Sequence, residues 1–507
     1  RVSIPFITGA MSVARKDPLN QTTPAKVLIA SCILIISFLS SIDKYDIDGV
    51  VPLIKENFSI NDAQTGIIRT SSSITNIIAT ATVWILGDLF CRRKAFLITV
   101  SMWILTSLCS LLLGSHTYVV FVGFRALGAA ASAVFGILIP VLLADMFADR
   151  ALGVAMMFAS ACELVSGLAI GVANSWILTA NLPWQSGLIF GPLISIAPLI
   201  VLACTGRSFG SSDRQGGGLS KGLSMAFGLF TNKSYVIVII STSFVAFAMG
   251  AYTFWLPSMF LNAWNSTPEA FPGLSYTAIT ILNSIFIMSG FLVGLPPILW
   301  FAQSWRHGTG PFSGRQGYTR AYPTVAAGGA VVYTSAYALY ILLVVESYVA
   351  TLACIFFVGL GQAVQACISQ LMLLLVIPSS SRSSGVALHR LIIVIVSTPS
   401  AQIMGMISDA IRGDSTLAID SFHAYQKALL FAAVFLIAAT IFFIILIVFF
   451  PADCERAEEL DRLGQDQNDE EDAVSETTAL LQKSRSNSIL EAVIRSRAMS
   501  GSFANTL

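Results

Sequence analysis

Several ionisable residues of this sequence lie inside long apolar runs: Asp43, Lys44, Asp46, Arg69, Arg125, Glu163, His389 and Arg390. Burying a charge in a membrane costs at least about 2.5–3.5 kcal/mol, so each of them requires a structural or functional reason. Asp43 and Lys44 come late in the first run and Arg125 comes early in the fourth, which allows them to meet at one depth. A carboxylate beside a cation can relay a proton or hold an anion; the alternative is a structural ion pair.

Two further candidates lie in later runs. Glu163 has small neighbours on both sides, which favours a helix contact or a cavity over a lipid-facing position. His389 can change charge near physiological pH, but a hydrogen-bonded structural role is equally consistent with its position.

The apolar runs predict an all-α, polytopic membrane protein, because each run is long enough to cross a ~30 Å hydrocarbon layer as a helix. Only 11% of the 507 residues are charged, against about 25% in soluble proteins. The net charge of +1 argues against a nucleic-acid partner. The twelve predicted spans are about 26–50, 64–87, 95–114, 117–144, 151–178, 186–205, 234–260, 276–301, 322–345, 348–378, 383–410 and 424–450.

A Gly- and Ser-rich interruption divides the spans into six and six. The predicted organisation is a cytosolic N-terminal segment, a six-helix bundle, a cytosolic linker, a second six-helix bundle and a disordered polar tail, at 1–25, 26–205, 206–233, 234–450 and 451–507.

The basic residues predict the orientation. Sixteen Lys and Arg residues fall on the side of the two termini and three on the other side, which places both termini in the cytosol. The sequons at Asn57 and Asn265 then face the lumen or the exterior, where N-glycosylation occurs. In the tail, Glu476 with Leu480 and Leu481 is similar to an acidic dileucine signal for clathrin-adaptor-type sorting proteins; the alternative is a short amphipathic helix.

The end of the second span carries Asp88 followed by Arg92 and Arg93. Such charges at helix ends can lock neighbouring helices into a cytosolic gate, or can simply set the topology. Gly206–Gly210 matches a serine-hydrolase pattern, but it lies in the linker rather than on a strand–turn–helix elbow. The sequence offers no phosphate-binding loop and no zinc-binding pattern, so we expect neither an enzyme nor a cofactor or metal.

In this order, the features resemble the major facilitator superfamily and, more narrowly, its spinster-like lipid transporters, the lysosomal lysophospholipid type above all. The segments that carry the resemblance are Asp43-Lys44-Tyr45, Gly49–Pro52, Leu86–Asp88, Arg125–Leu127, Ala144–Phe147, Phe247–Tyr252 and Gly405–Asp409. The resemblance implies a fold of two six-helix bundles. It also implies movement of lysophospholipids or sphingosine-1-phosphate, with proton coupling in acidic compartments.

The resemblance also implies roles for single residues. Asp43 and Lys44 match the family's Asp–Arg pair, with Lys in place of Arg, and Arg125 matches its helix 4 arginine. Ser132 stands where the family has a glutamate, and Glu163 is a candidate replacement for that carboxylate. We expect proton coupling at Asp43 and Glu163. The expected substrate contacts are Lys44, Arg125, Ser132, Tyr252, Trp255 and His389.

The predicted function is secondary active transport of a lysophospholipid or related single-chain lipid by alternating access, coupled to protons. The expected location is the lysosomal or late endosomal membrane, with the plasma membrane as an alternative. The expected partners are the lipid substrate, protons, membrane lipids and sorting adaptors. Alternatives are a sphingosine-1-phosphate or organic-anion exporter, a non-transporting receptor or scaffold, and a lipid hydrolase using Ser208.

Overall fold

A computed structural model describes residues 24–58, 60, 62–87, 90–111, 117–179, 185–205, 227–313, 317–413, 415 and 417–503. Side chains are described as far as Leu463, except at 44–53, 167–179 and several shorter stretches. The helices of the first half are α1 (Pro24–Phe58), α2 (Asp62–Leu86), α3 (Arg92–Leu111), α4 (Tyr118–Met146), α5 (Asp149–Thr179) and α6 (Gln185–Cys204). Those of the second half are α7 (Lys233–Ser266), α8 (Tyr276–His307), α9 (Ala321–Leu343), α10 (Tyr348–Val376), α11 (Arg382–Ser397), α12 (Ser400–Arg412) and α13 (Ala418–Phe503).

The helical fold confirms the predicted fold class. Every predicted span coincides with a helix, and the eleventh span is formed by α11 and α12 together. Within the described residues, eight helical stretches are long and apolar enough to cross a membrane, and two shorter apolar helices cover Ser71–Leu86 and Ile189–Cys204. The polypeptide is therefore a multi-pass membrane protein.

Contacts within each half hold the helices together. In the first half, α1 packs against α5 and α6, while α4 packs against α2 and α3. In the second half, α10 lies against both α8 and α9. At the α8–α10 contact, a Cβ atom on Gly290 would collide with the carbonyl oxygen of Phe356, and one on Gly359 would collide with that of Ile287. These small residues allow two backbones to approach directly.

The eleventh span is interrupted at Pro399, which lies between α11 and α12. Proline has no N–H to donate and its ring crowds the preceding turn, so it breaks a helix. The segment beyond the break packs against α7. A Cβ atom on Gly405 would lie 2.7 Å from Cζ2 of Trp255, so only glycine permits this approach.

Two helices extend beyond the ends that the sequence predicted. Helix α1 continues to Phe58, beyond the predicted end of the first span. Helix α13 continues to Phe503, although the sequence predicted disorder after residue 450. Its polar part is rich in Ala, Leu, Glu and Arg, which have high helix propensity. Residues Cys454–Leu507 form a compact unit separate from Arg1–Asp453.

Candidate transport site and the closed end of the bundle

A buried ion pair joins α1 to α4. Nη1 of Arg125 donates to Oδ1 of Asp43 at 2.9 Å, and Nη2 donates to the Asp43 carbonyl oxygen at 3.1 Å. Both side chains are 8% exposed. The meeting of Asp43 and Arg125 at one depth is an arrangement that the apolar runs allowed.

Helix α3 supplies the remaining partners of the carboxylate. The indole Nε1 of Trp103 donates to Oδ2 of Asp43 at 2.8 Å, and the Ser107 hydroxyl lies 3.5 Å from the same oxygen. Trp103 is 1% exposed and its ring packs against Phe135 of α4. The pair is thus held from three helices of one half, and both oxygens of the carboxylate have donors.

The burial of this pair has an energetic consequence. Removing one partner of a buried ion pair leaves an uncompensated charge and typically costs about 3–5 kcal/mol. A proton delivered to Asp43 would instead neutralise the carboxylate and weaken its hold on Arg125. The arrangement can therefore convert a protonation event into a change in helix packing.

A second charged cluster joins the two halves at the opposite end of α4. Asp145 accepts from Nη1 of Arg92 at 2.9 Å and lies 3.6 Å from Nη1 of Arg382. Nη2 of Arg92 also donates to the carbonyl oxygen of Ser379 at 2.7 Å. We call these four residues the closed end.

The charges of the closed end occupy unfavourable helix termini. Asp145 is in the last turn of α4, where the helix dipole disfavours an anion, and Arg92 and Arg382 begin α3 and α11, where it disfavours cations. Pairing compensates all three, which couples the ends of these helices. The side chain of Asp145 has no exposed surface.

Further contacts at this end join α5 to α8 and its following loop. Nη2 of Arg150 donates to the Thr309 hydroxyl at 2.5 Å, and Nε2 of Gln303 donates to the Arg150 carbonyl oxygen at 3.3 Å. Cβ of Ser383 would lie 3.2 Å from a Cβ atom on Gly87. Among the described side chains, the hydrogen bonds and ion pairs between the halves are those of this end.

The structure places the residues of the predicted cytosolic gate in different surroundings. Arg92 lies in the closed end, and its role in a gate stays a prediction. Arg93 instead donates to the carbonyl oxygens of Leu202 and Ala203, so it caps α6 within the first half. Asp88 lies outside the described residues.

Two predicted substrate contacts are buried among protein side chains. Tyr252 is 4% exposed and packs against Tyr337 and Tyr340, so it offers almost no surface to a substrate. His389 is 2% exposed, and its Nε2 lies 2.9 Å from the Thr242 hydroxyl. In this conformation both side chains pack within the second half, and their contact with a substrate stays a prediction.

Two others have partial exposure. Trp255 is half-buried, stacks on Tyr425 and donates from Nε1 to the Ala401 carbonyl oxygen at 2.7 Å. Ser132 is half-buried and its hydroxyl donates to the Ala129 carbonyl oxygen of its own helix.

The structure does not bring Glu163 to the ion pair. Its side chain is exposed on α5, and the described partners of Asp43 do not include it. The side chain of Lys44 lies outside the described residues, as do those of Glu476, Leu480 and Leu481. Of the two sequons, Asn57 is half-buried in the last turn of α1, and Asn265 is exposed in the last turn of α7.

Sequence reasoning missed three residues. Trp103 lies inside an apolar span, where a tryptophan gives no indication of a functional role. Asp145 and Arg382 lie at the ends of spans, where charges normally report topology, and only the packing of the two halves shows that they meet. The motif Ala144–Phe147 was noted for its resemblance alone.

Comparison with known proteins identifies the superfamily of the chain. The sequence model of the Major Facilitator Superfamily matches residues 33–398. The chain belongs to this superfamily. It is therefore a membrane transporter by family rather than an enzyme.

Spinster proteins are among the relatives of this chain within the superfamily. The chain is 24% identical over 463 residues to the sphingosine-1-phosphate transporter SPNS2 of Xenopus tropicalis, covering 89% of this chain and 87% of the relative. It is 25% identical over 453 residues to human protein spinster homolog 1, covering 85% and 82%. The predicted resemblance to spinster-like proteins is confirmed.

Solved structures agree on the fold. A bacterial homologue of the human lysosomal transporter spinster, in an inward-facing and unoccupied conformation, has a TM-score of 0.54 at 15% identity and covers 85% of this chain and 99% of its own. The proton:xylose symporter XylE has a TM-score of 0.58 at 14% identity, covering 81% and 94%. These likenesses support the superfamily fold that was predicted.

Proposed function

We propose that this superfamily member is a proton-coupled secondary transporter that moves a lysophospholipid or a related single-chain lipid by alternating access. The observation that carries the proposal is the buried pair of Asp43 and Arg125. An ionisable pair inside a membrane-spanning bundle is costly and marks a coupling or substrate site. The pair lies within one half, so it can respond to a proton without the halves moving first.

Alternating access supplies the second part of the proposal. The halves meet through the closed end, so the opposite side of the bundle is the side from which a substrate enters in this conformation. Opening the closed end requires Asp145 to separate from Arg382 and Arg92 from Ser379. Rocking of one half against the other around a central site is the general mechanism of such transporters.

The choice of substrate rests on the relatives. Relatives named as spinster homologues and as sphingosine-1-phosphate transporters align with most of the chain. The lipid's head group would meet cations between the halves, and its tail would follow apolar surface that includes Trp255. A sphingosine-1-phosphate exporter is the second candidate, because the aligned relatives include sphingosine-1-phosphate transporters of Xenopus tropicalis and Mus musculus.

The location is proposed from the sequence. Both termini face the cytosol, which places the closed end at the cytosolic side, and Glu476, Leu480 and Leu481 direct the protein to late endosomes or lysosomes through a clathrin adaptor. An acidic lumen would supply protons to Asp43.

Replacing Leu480 and Leu481 by alanine should move the protein to the cell surface in fluorescence microscopy. Peptide-N-glycosidase should change the electrophoretic mobility of the wild-type protein. Loss of this change in Asn57→Gln or Asn265→Gln would show that the replaced asparagine carries a glycan and faces the lumen or the exterior.

Uptake into proteoliposomes tests the function. The purified chain is reconstituted with labelled lysophosphatidylcholine or sphingosine-1-phosphate, with and without a pH gradient. Gradient-stimulated uptake of either lipid supports transport, and the preferred lipid decides between the two candidates. Binding of a lipid without any uptake would favour a receptor or scaffold.

A further inference from the structure

A second arginine of α11, Arg390, has no described partner. It is half-buried and lies eight residues beyond Arg382, which places it about 12 Å from the closed end. Among the residues that the structure describes, Arg390 makes no ion pair or hydrogen bond, whereas Arg92, Arg125 and Arg382 are each paired with a carboxylate. An unpaired cation inside a membrane bundle is costly and requires a role.

The guanidinium of Arg390 reaches the first half at a glycine. A Cβ atom on Gly136 of α4 would lie 2.8 Å from Nη1 and 3.6 Å from Cζ of Arg390. Gly136 lies nine residues before Asp145, a rise of about 13 Å along α4. The distances along α11 and along α4 therefore agree on the depth of Arg390, which lies about 12–13 Å from the closed end. At this depth Arg390 reaches across the contact between the two halves.

The nitrogen atoms of Arg390 have no described hydrogen-bond partner, yet none of them is fully buried. They therefore border accessible space. The neighbouring charges leave it available. His389 is turned to Thr242 within the second half, and Asp145 is engaged by Arg92 and Arg382. A guanidinium offers a planar fork of donors that matches a phosphate group.

We propose that Arg390 binds the phosphate of the transported single-chain lipid, with the guanidinium seated against Gly136 between the two halves. The inference rests on the proposed lipid transport and names the head-group contact within it. Lysophospholipids and sphingosine-1-phosphate share this phosphate, so both are ligands for the site. Both terminal nitrogens of Arg125, one of the two cations predicted from the sequence, are engaged by Asp43, whereas Arg390 makes no described hydrogen bond or ion pair.

Lipids with and without a phosphate test the proposal. Binding and uptake by the reconstituted full chain are measured for lysophosphatidylcholine and sphingosine-1-phosphate, and for the phosphate-free monoacylglycerol and sphingosine. Arg390→Gln should weaken binding of the phosphate lipids about tenfold or more and leave the phosphate-free lipids unchanged. Arg390→Lys should retain part of the affinity, because it keeps the charge and loses the fork. Thermal unfolding of each variant verifies folding.

Matched variants complete the test. Arg412→Gln removes an arginine that is 32% exposed and paired with Asp409, and should leave binding unchanged. Gly136→Ala should mimic Arg390→Gln by displacing the guanidinium, whereas Gly123→Ala on the same helix has open space for its methyl group and should not.

The outcomes separate the two claims. If wild-type protein moves a phosphate lipid and Arg390→Gln binds it equally well, the Arg390 assignment is overturned and the transport function stands. If the wild-type protein moves none of the four lipids, the proposed function fails and this inference fails with it.

Discussion

Two charged clusters on α4 differ in what they connect. Arg125 near the start of α4 is paired with Asp43 of the same half, whereas Asp145 near its end is paired with Arg382 of the other half. Movement of one rigid half against the other breaks contacts of the second kind and leaves contacts of the first kind intact. The pair of Asp43 and Arg125, here called the inner pair, therefore needs a change of charge to open. The closed end can be opened by motion alone.

The largest expected effect comes from breaking the inner pair on one side. Arg125→Gln leaves the Asp43 carboxylate buried without its cation and should lower the free energy of unfolding by about 3–5 kcal/mol. Thermal or denaturant unfolding in detergent measures this loss. Adding Asp43→Asn should restore part of the stability, since the unpaired charge is then removed. Equal stability of Arg125→Gln and wild type would show that the pair is not buried as described.

The closed end should respond with a change of conformation, in addition to the stability that is lost when a buried carboxylate is removed. Asp145→Asn removes the carboxylate that holds Arg92 and Arg382, so the two halves should separate more often at this end. A cysteine at Ser383, which is fully buried, should then react several-fold faster with a thiol reagent in a background without the native cysteines. Asp409→Asn serves as the control, because its ion pair lies within α12. An unchanged rate would remove this cluster from the gate.

A smaller effect is expected at the indole that supports the inner pair. Trp103→Phe keeps most of the buried ring and removes the hydrogen bond to Asp43, which should cost about 0.5–1.5 kcal/mol. Unfolding measurements give the loss, and the pH dependence of uptake should shift because the carboxylate has lost a donor. A shift in pH dependence separates this role from packing alone. If the pH dependence matches the wild type, Trp103 is only a packing residue.

The smallest effect is expected at Ser132. Its hydroxyl donates to a carbonyl of its own helix, an interaction that contributes little to helix stability. Ser132→Ala should therefore change unfolding by less than about 0.5 kcal/mol and leave uptake unchanged. A marked loss of uptake in this variant would identify Ser132 as a substrate contact.

The sequence predicted the parts of the site that depend on depth alone. Hydropathy gives the start and end of each span, so Asp43 and Arg125 could be placed at the same level. It does not give the rotation of each helix about its axis, which is why Tyr252 and His389 were expected to face a substrate and instead lie within the second half. Contacts between the two halves, such as Asp145 with Arg382, depend on the conformation and have no local signal.

We propose that protonation of Asp43 drives transport, and a single variant tests this proposal. Asp43→Asn cannot ionise and keeps the size of the side chain. Its Oδ1 can still accept from Arg125, while its amide NH2 replaces the oxygen that accepts from Trp103, so thermal unfolding must first verify that the variant folds. In proteoliposomes, a pH gradient should stimulate wild-type uptake of the preferred lipid. Uptake by Asp43→Asn should be insensitive to the gradient while exchange of lipid across the membrane remains. Full gradient stimulation in the folded Asp43→Asn variant would contradict the account.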